Sequence, residues 1–165
     1  MTFNHFDSRG QAIMVDVSGK DPTLRTAVAE AQVVVKPETL AGILEGRMTK
    51  GDVLGVARLA GIADAKRTPE LIPLSHPLVL HHAAIDFDAD PATGVIAVTA
   101  TIRAFERTGV EMEAMVAASV ASLTIYDMCK GKDKSITIGR ISLLYKEGGK
   151  SGVYKRPGTD KKATP

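Results

Sequence analysis

The chain has 165 residues, 44% of them hydrophobic, with 21 Lys and Arg against 19 Asp and Glu. That length makes one domain, buries roughly 70% of the unfolded surface and needs no disulfide staples. A net charge of +2 is too weak to imply nucleic-acid binding by itself, and the single cysteine, Cys129, excludes disulfide frameworks and thiolate zinc sites within one chain. The polar first ten residues lack the apolar run of a secretion signal, and the longest apolar stretch, 114–123, is interrupted by Ser119 and Ser122. No membrane span and a cytoplasmic address are therefore expected.

Residues 13–17 (IMVDV) alternate like a short strand. Residues 24–36 mix helix-favouring alanines with Val33, Val34 and Val35, and the valines favour a strand. Pro37 suits a first helical position and Gly46 a stop, giving a short helix over 38–45. After a break at Lys50-Gly51, Asp52 is an N-cap for a second helix reaching about Lys66, ended by Thr68-Pro69. Pro73 and Pro77 bracket Leu74, Ser75 and His76 in an extended or looped segment. Segments 79–88 and 94–103 form a hairpin around the turn at 90–94. Residues 108–130 read as one long helix, whose small Ala and Ser side chains fit tight internal packing. Residues 135–144 make a last strand, bulged at Gly139.

Strand, helices, strand, strand, helix, strand is the order of a split β-α-β, ferredoxin-like α+β fold, an antiparallel sheet with helices packed on one face. Such a fold does not by itself specify chemistry. The motifs narrow it. Gly149-Lys150-Ser151 fails as a phosphate loop because the required earlier glycine is Leu144. His76, His81 and His82 lack metal-ligand spacing, so no metal site is expected. No nucleophile elbow and no aromatic-rich RNA-binding strand appear.

Four clusters remain. Lys50 stands on a break before a helix, and His76 is held between prolines. Thr108 and Glu111 have the spacing of a capping box, which leaves Glu113 without such an explanation. Asp127 and Lys130 lie three apart on one helix face, a spacing that a surface ion pair also explains. Basic residues gather after Lys130, at Lys132, Lys134, Lys146, Lys150, Lys155 and Arg156, a patch suited to a small polyanion.

In this order the clusters resemble the cyclic pyranopterin monophosphate synthase family of molybdenum cofactor biosynthesis. The resemblance runs from about residue 14 to 152: MVDVS from Met14, KGDV from Lys50, AGIADAKRT from Ala60, LIPLSHP from Leu71, TGVEMEA from Thr108, LTIYDMCK from Leu123 and GGKSG from Gly148. One departure is Ser75, where the family usually has cysteine, which removes any thiol role there.

The resemblance implies a ferredoxin-like enzyme, a phosphorus–oxygen lyase, that converts cyclised dihydro-GTP into cyclic pyranopterin monophosphate with loss of pyrophosphate. It implies a hexamer built from dimers, with no nucleic-acid or membrane partner. Residues 1–150 are then the single catalytic domain and 151–165 a flexible basic tail. Lys50, Asp127 and Lys130 are the implied catalytic residues. Leu74, Ser75, His76, Glu111, Met112 and Glu113 form the implied substrate-recognition set, with Asp16, Lys20, Arg25, Lys66 and Lys146 at the site or its phosphate end. Two lysines in one site are expected to lower each other's pKa and work as acid or base. No cofactor is required, and Mg²⁺ can accompany the phosphates. A nucleotide-sensing module and an oligomeric scaffold are the other classes that these residues allow. The separation of Glu113 and Asp127 along one helix leads to a further expectation, an active site shared between subunits.

Overall fold

In the computed structural model, which describes residues 6–159, the elements in chain order are β1 (Thr23–Val34), α1 (Pro37–Leu44), α2 (Val53–Ala65), a short α3 (Thr68–Leu71), β2 (His82–Asp90), β3 (Val95–Glu106), α4 (Glu111–Cys129), β4 (Thr137–Glu147) and the two-residue β5 (Tyr154–Lys155). The sheet order is β2-β3-β1-β4-β5, and every neighbouring pair is antiparallel. Two split β-α-β units interlock: β3 lies between β1 and β2, and β1 lies between β3 and β4. This is the ferredoxin-like α+β fold expected from the element order. Among the described residues no helix is long and apolar enough to cross a membrane.

Small side chains set the spacing of the layers. Ala27, Ala29, Ala31 and Val33 of β1 join Ile96, Val98, Ala100, Ile102 and Ala104 of β3 in the core, against Ala114, Ala117, Ala118, Ala121 and Ile125 of α4. α2 also comes close to α4: a Cβ on Gly61 would stand 2.9 Å from the Ala117 carbonyl oxygen. The alanine-rich surface of α4 is thus used in internal packing, and its hydroxyls are satisfied locally, Ser122 Oγ donating to Ala118 O at 2.8 Å.

Several local signals hold. Asp52 caps α2, its side chain accepting from Gly55 N at 2.9 Å. The hairpin turns at Asp90, which accepts from Ala92 N and Thr93 Oγ1, and closes through Gly94 at φ 71°.

Others need correction. Residues 13–17 form no strand and lie outside the five-stranded sheet. Their apolar alternation instead half-buries Val15 and Val17. The capping box is absent: α4 begins at Glu111, and its N-cap is the fully buried Val110, with no side-chain cap. In β4 Gly139 pairs with Gln32, and the extra residue lies between Gly139 and Ser142, where Arg140 has φ 45°. A second irregularity falls at Leu144. Within the expected tail, Tyr154 and Lys155 pair with β4.

Candidate active site

Three residues meet at the C-terminal end of α4. Lys50, on the α1–α2 connection, donates from Nζ to both the backbone oxygen and Oδ2 of Asp127, each at 2.9 Å. Lys130, the C-cap of α4, reaches Asp127 Oδ1 at 2.7 Å. All three side chains are about half exposed. The hydrogen bonds from Lys130 and Lys50 hold the Asp127 carboxyl down at about 2, and Asp127 in turn raises Lys130 above the ordinary lysine value. The expectation that the two lysines lower one another therefore fails for Lys130, because a carboxylate stands between them.

The turn after Lys130 is fixed by Asp133, 1% exposed. Its carboxylate accepts from Lys36 N at 2.9 Å and from Ser135 N at 2.9 Å, and it receives the Thr39 and Ser135 hydroxyls. Burial opposes its ionisation, but these bonds, led by those from Ser135 and Lys36, keep its carboxyl below the ordinary range. The N-terminus of α1 is thereby tied to the turn that follows Lys130.

A second group surrounds a cavity of about 700 Å³ at the other end of α4, where the start of β1, the β3–α4 connection and the end of β4 converge. Five cationic residues line it, Lys20, Arg25, Arg107, Lys146 and Lys150, together with the acidic Asp21, Glu111 and Glu147. Arg25 is 9% exposed and is aimed by bonds to the Glu106 and Arg107 carbonyls. Lys146 bonds Ser151 in the turn beyond β4. The Glu111 carboxylate folds back over Gly109, occupying the space where a Cβ there would lie.

Two residues along α4, Glu113 is 2% exposed, and its Oε1 has no hydrogen-bond partner among the described residues. Burial pushes its carboxyl up to about 7, and the neighbouring Glu111 charge adds to the rise. Met112, between them, is exposed.

The remaining expected residues are placed as follows. His76 Nε2 lies 2.7 Å from the Val15 carbonyl oxygen, so its ring fastens the segment that carries Asp16. Asp16 accepts from Ser18 N at 2.8 Å, which lowers its carboxyl pKa. Leu74 and Ser75 are half-buried in the turn after α3. Lys66 is the exposed C-cap of α2 and joins neither group by a hydrogen bond or ion pair. Among the described residues no group of three or more His, Cys, Asp and Glu is arranged to hold a metal ion.

The structure thus brings Lys50, Asp127 and Lys130 together, and brings Lys20, Arg25, Glu111 and Lys146 together. It does not unite the two groups. Asp127 and Glu113 are fourteen positions apart on α4, about 21 Å at 1.5 Å per residue. Arg107 and Glu147 line the cavity without having been singled out for it. Lys150 was legible in the basic patch that follows Lys130 and in the GGKSG string.

The MoaC family model matches residues 14–149, which takes in Lys50, Asp127 and Lys130 and all the cavity-lining charged residues except Lys150. The chain belongs to that family. It is 79% identical over 156 residues to the cyclic pyranopterin monophosphate synthase of Geotalea uraniireducens, which covers 94% of this chain and 98% of the relative. Over the same shares it is 75% identical to the protein of that name in Geobacter metallireducens and 74% identical to that of Geobacter sulfurreducens.

Proposed function

We propose that this chain is a cyclic pyranopterin monophosphate synthase of molybdenum cofactor biosynthesis, a phosphorus–oxygen lyase acting on cyclised dihydro-GTP. The observation that carries the reading is the 79% identity to a protein of that name across 94% of the chain. The geometry supports it in two ways. Ring opening and reclosure need proton transfers, and Lys130 and Lys50 bring two protonatable amines to opposite oxygens of one carboxylate. Formation of the cyclic phosphate needs a home for a leaving polyanion, and the five-cation cavity suits pyrophosphate. In that step a substrate hydroxyl attacks the α-phosphorus, the bond to the bridging oxygen of the β-phosphate breaks, and the hydroxyl proton passes to a base. Because attack is intramolecular, positioning can lower the barrier by roughly 7–11 kcal/mol. Any Mg²⁺ would enter with the phosphates.

The distance between the two groups adds a quaternary element. A pterin-sized body does not bridge about 21 Å, so the site is formed by two copies, Lys50, Asp127 and Lys130 from one and Glu113, His76 and the cavity from the other, within a cytoplasmic hexamer built from dimers. Incubation with cyclised dihydro-GTP is the test. Release of pyrophosphate together with cyclic pyranopterin monophosphate is expected. Binding without release would make the chain a nucleotide sensor, and neither would leave a scaffold.

A further inference from the structure

The residues just before β1 form neither helix nor strand, yet Gly19, Lys20 and Asp21 build one wall of the basic cavity. Side-chain hydrogen bonds fasten this segment to the body at Val15, through His76, and at Ser18, whose carbonyl oxygen accepts from Arg107 Nη1. Arg107 is itself braced. Arg25 donates from Nε to the Glu106 carbonyl at 3.1 Å and from Nη2 to the Arg107 carbonyl at 3.2 Å. The Arg25 guanidinium also lies where a Cβ on Gly149 would be, so the turn beyond β4 closes against it. Two arginines in series therefore join the three segments that wall the cavity.

We infer that Arg107 is a positioning residue for the phosphate end of the substrate, clasping segment 15–21 to the cavity so that Lys20 is held in place before the anion arrives. The inference rests on the synthase reading above. Without the clasp, Lys20 lies between the Val15 contact and the start of β1 with no side-chain tie to the body among the described residues. Ordering the segment then has to accompany binding, which weakens affinity more than it slows chemistry. Arginine suits the role because one N–H serves the Ser18 carbonyl while the fixed charge still faces the cavity.

The test uses the full chain and two readouts. Arg107→Gln should raise KM for cyclised dihydro-GTP about tenfold while kcat stays within about threefold, and Arg107→Lys should recover part of the loss. Cys129 is fully buried and is the chain's single cysteine, so a nitroxide on Ser18→Cys reports on the segment alone. Its spectrum should sharpen toward a mobile label when Arg107→Gln is added. Unchanged KM overturns the inference, and so does a raised KM with an unchanged label, since Arg107 would then act on the substrate directly. If the parent chain releases no pyrophosphate, the synthase reading fails, and the label still decides whether the clasp exists.

Discussion

Asp127, near the C-terminal end of α4, is about half exposed and bonded through both carboxylate oxygens to lysines, whereas Glu113, near the N-terminal end, is 2% exposed with one oxygen unpartnered. The two carboxyls share a helix and move in opposite directions, to about 2 and about 7, because charge partners dominate at one end and burial at the other. The helix N-terminus favours negative charge, yet desolvation outweighs it at Glu113. The lysine end is satisfied within one chain. The other end holds a buried carboxyl whose Oε1 has no hydrogen-bond partner among the described residues.

Removing Lys50 is the harshest way to break the satisfied end. Lys50→Ala should lower kcat/KM for pyrophosphate release by about 10³-fold, or about 4 kcal/mol, with the melting temperature nearly unchanged because the side chain is half exposed. Arginine should restore little, since it does not exchange protons near neutrality. Near-normal release by Lys50→Ala would remove this lysine from the mechanism.

Mixing inactive variants asks whether the two ends serve one site. Glu113→Ala and Lys130→Ala oligomers should each be inactive. After verified subunit exchange at equal amounts, about a quarter of sites should draw two intact halves and regain activity. No recovery would sink the shared site and leave the two groups acting separately.

The smallest effect is on stability. Glu113 has a folded pKa of about 7 against an ordinary 4.5, so the folded chain binds the extra proton between these values. Its contribution is complete below pH 4.5 and is lost as pH rises through about 7, a change of about 3 kcal/mol. Urea midpoints of the parent chain should therefore fall from pH 5 to pH 8 relative to Glu113→Gln. Parallel curves for the two proteins would mean that Glu113 is already ionised in the folded state.

The hairpin and α2 were readable because their signals are local: Asp90 and Gly94 make their own turn, and Asp52 caps through a bond three residues away. Thr108 and Glu111 misled because their spacing satisfies a capping rule, whereas the chain spends Thr108 and Gly109 leaving β3 and starts the helix at Glu111. Residues 13–17 misled because alternation records which side chains are half-buried and not whether a neighbouring strand is vacant. At the site, Lys50, Asp127 and Lys130 came with the family's motifs, and the structure adds how one carboxylate couples them. Arg107 was invisible in one dimension. Its partners are Ser18, 89 positions away, and, through its carbonyl, Arg25, 82 positions away.

The sheet has one further property that matters when many copies of the chain are crowded together. Its outer strand β2 carries Asp86, Asp88 and Asp90 in alternation, all exposed, so a second β2 sliding alongside would bring carboxylates into register against carboxylates. On the far side, β4 is twice irregular and is capped by only two residues of β5, which spoils the straight ladder that an incoming strand would need. Both edges thus discourage runaway strand addition, and a freshly made chain is steered away from fibrous aggregation.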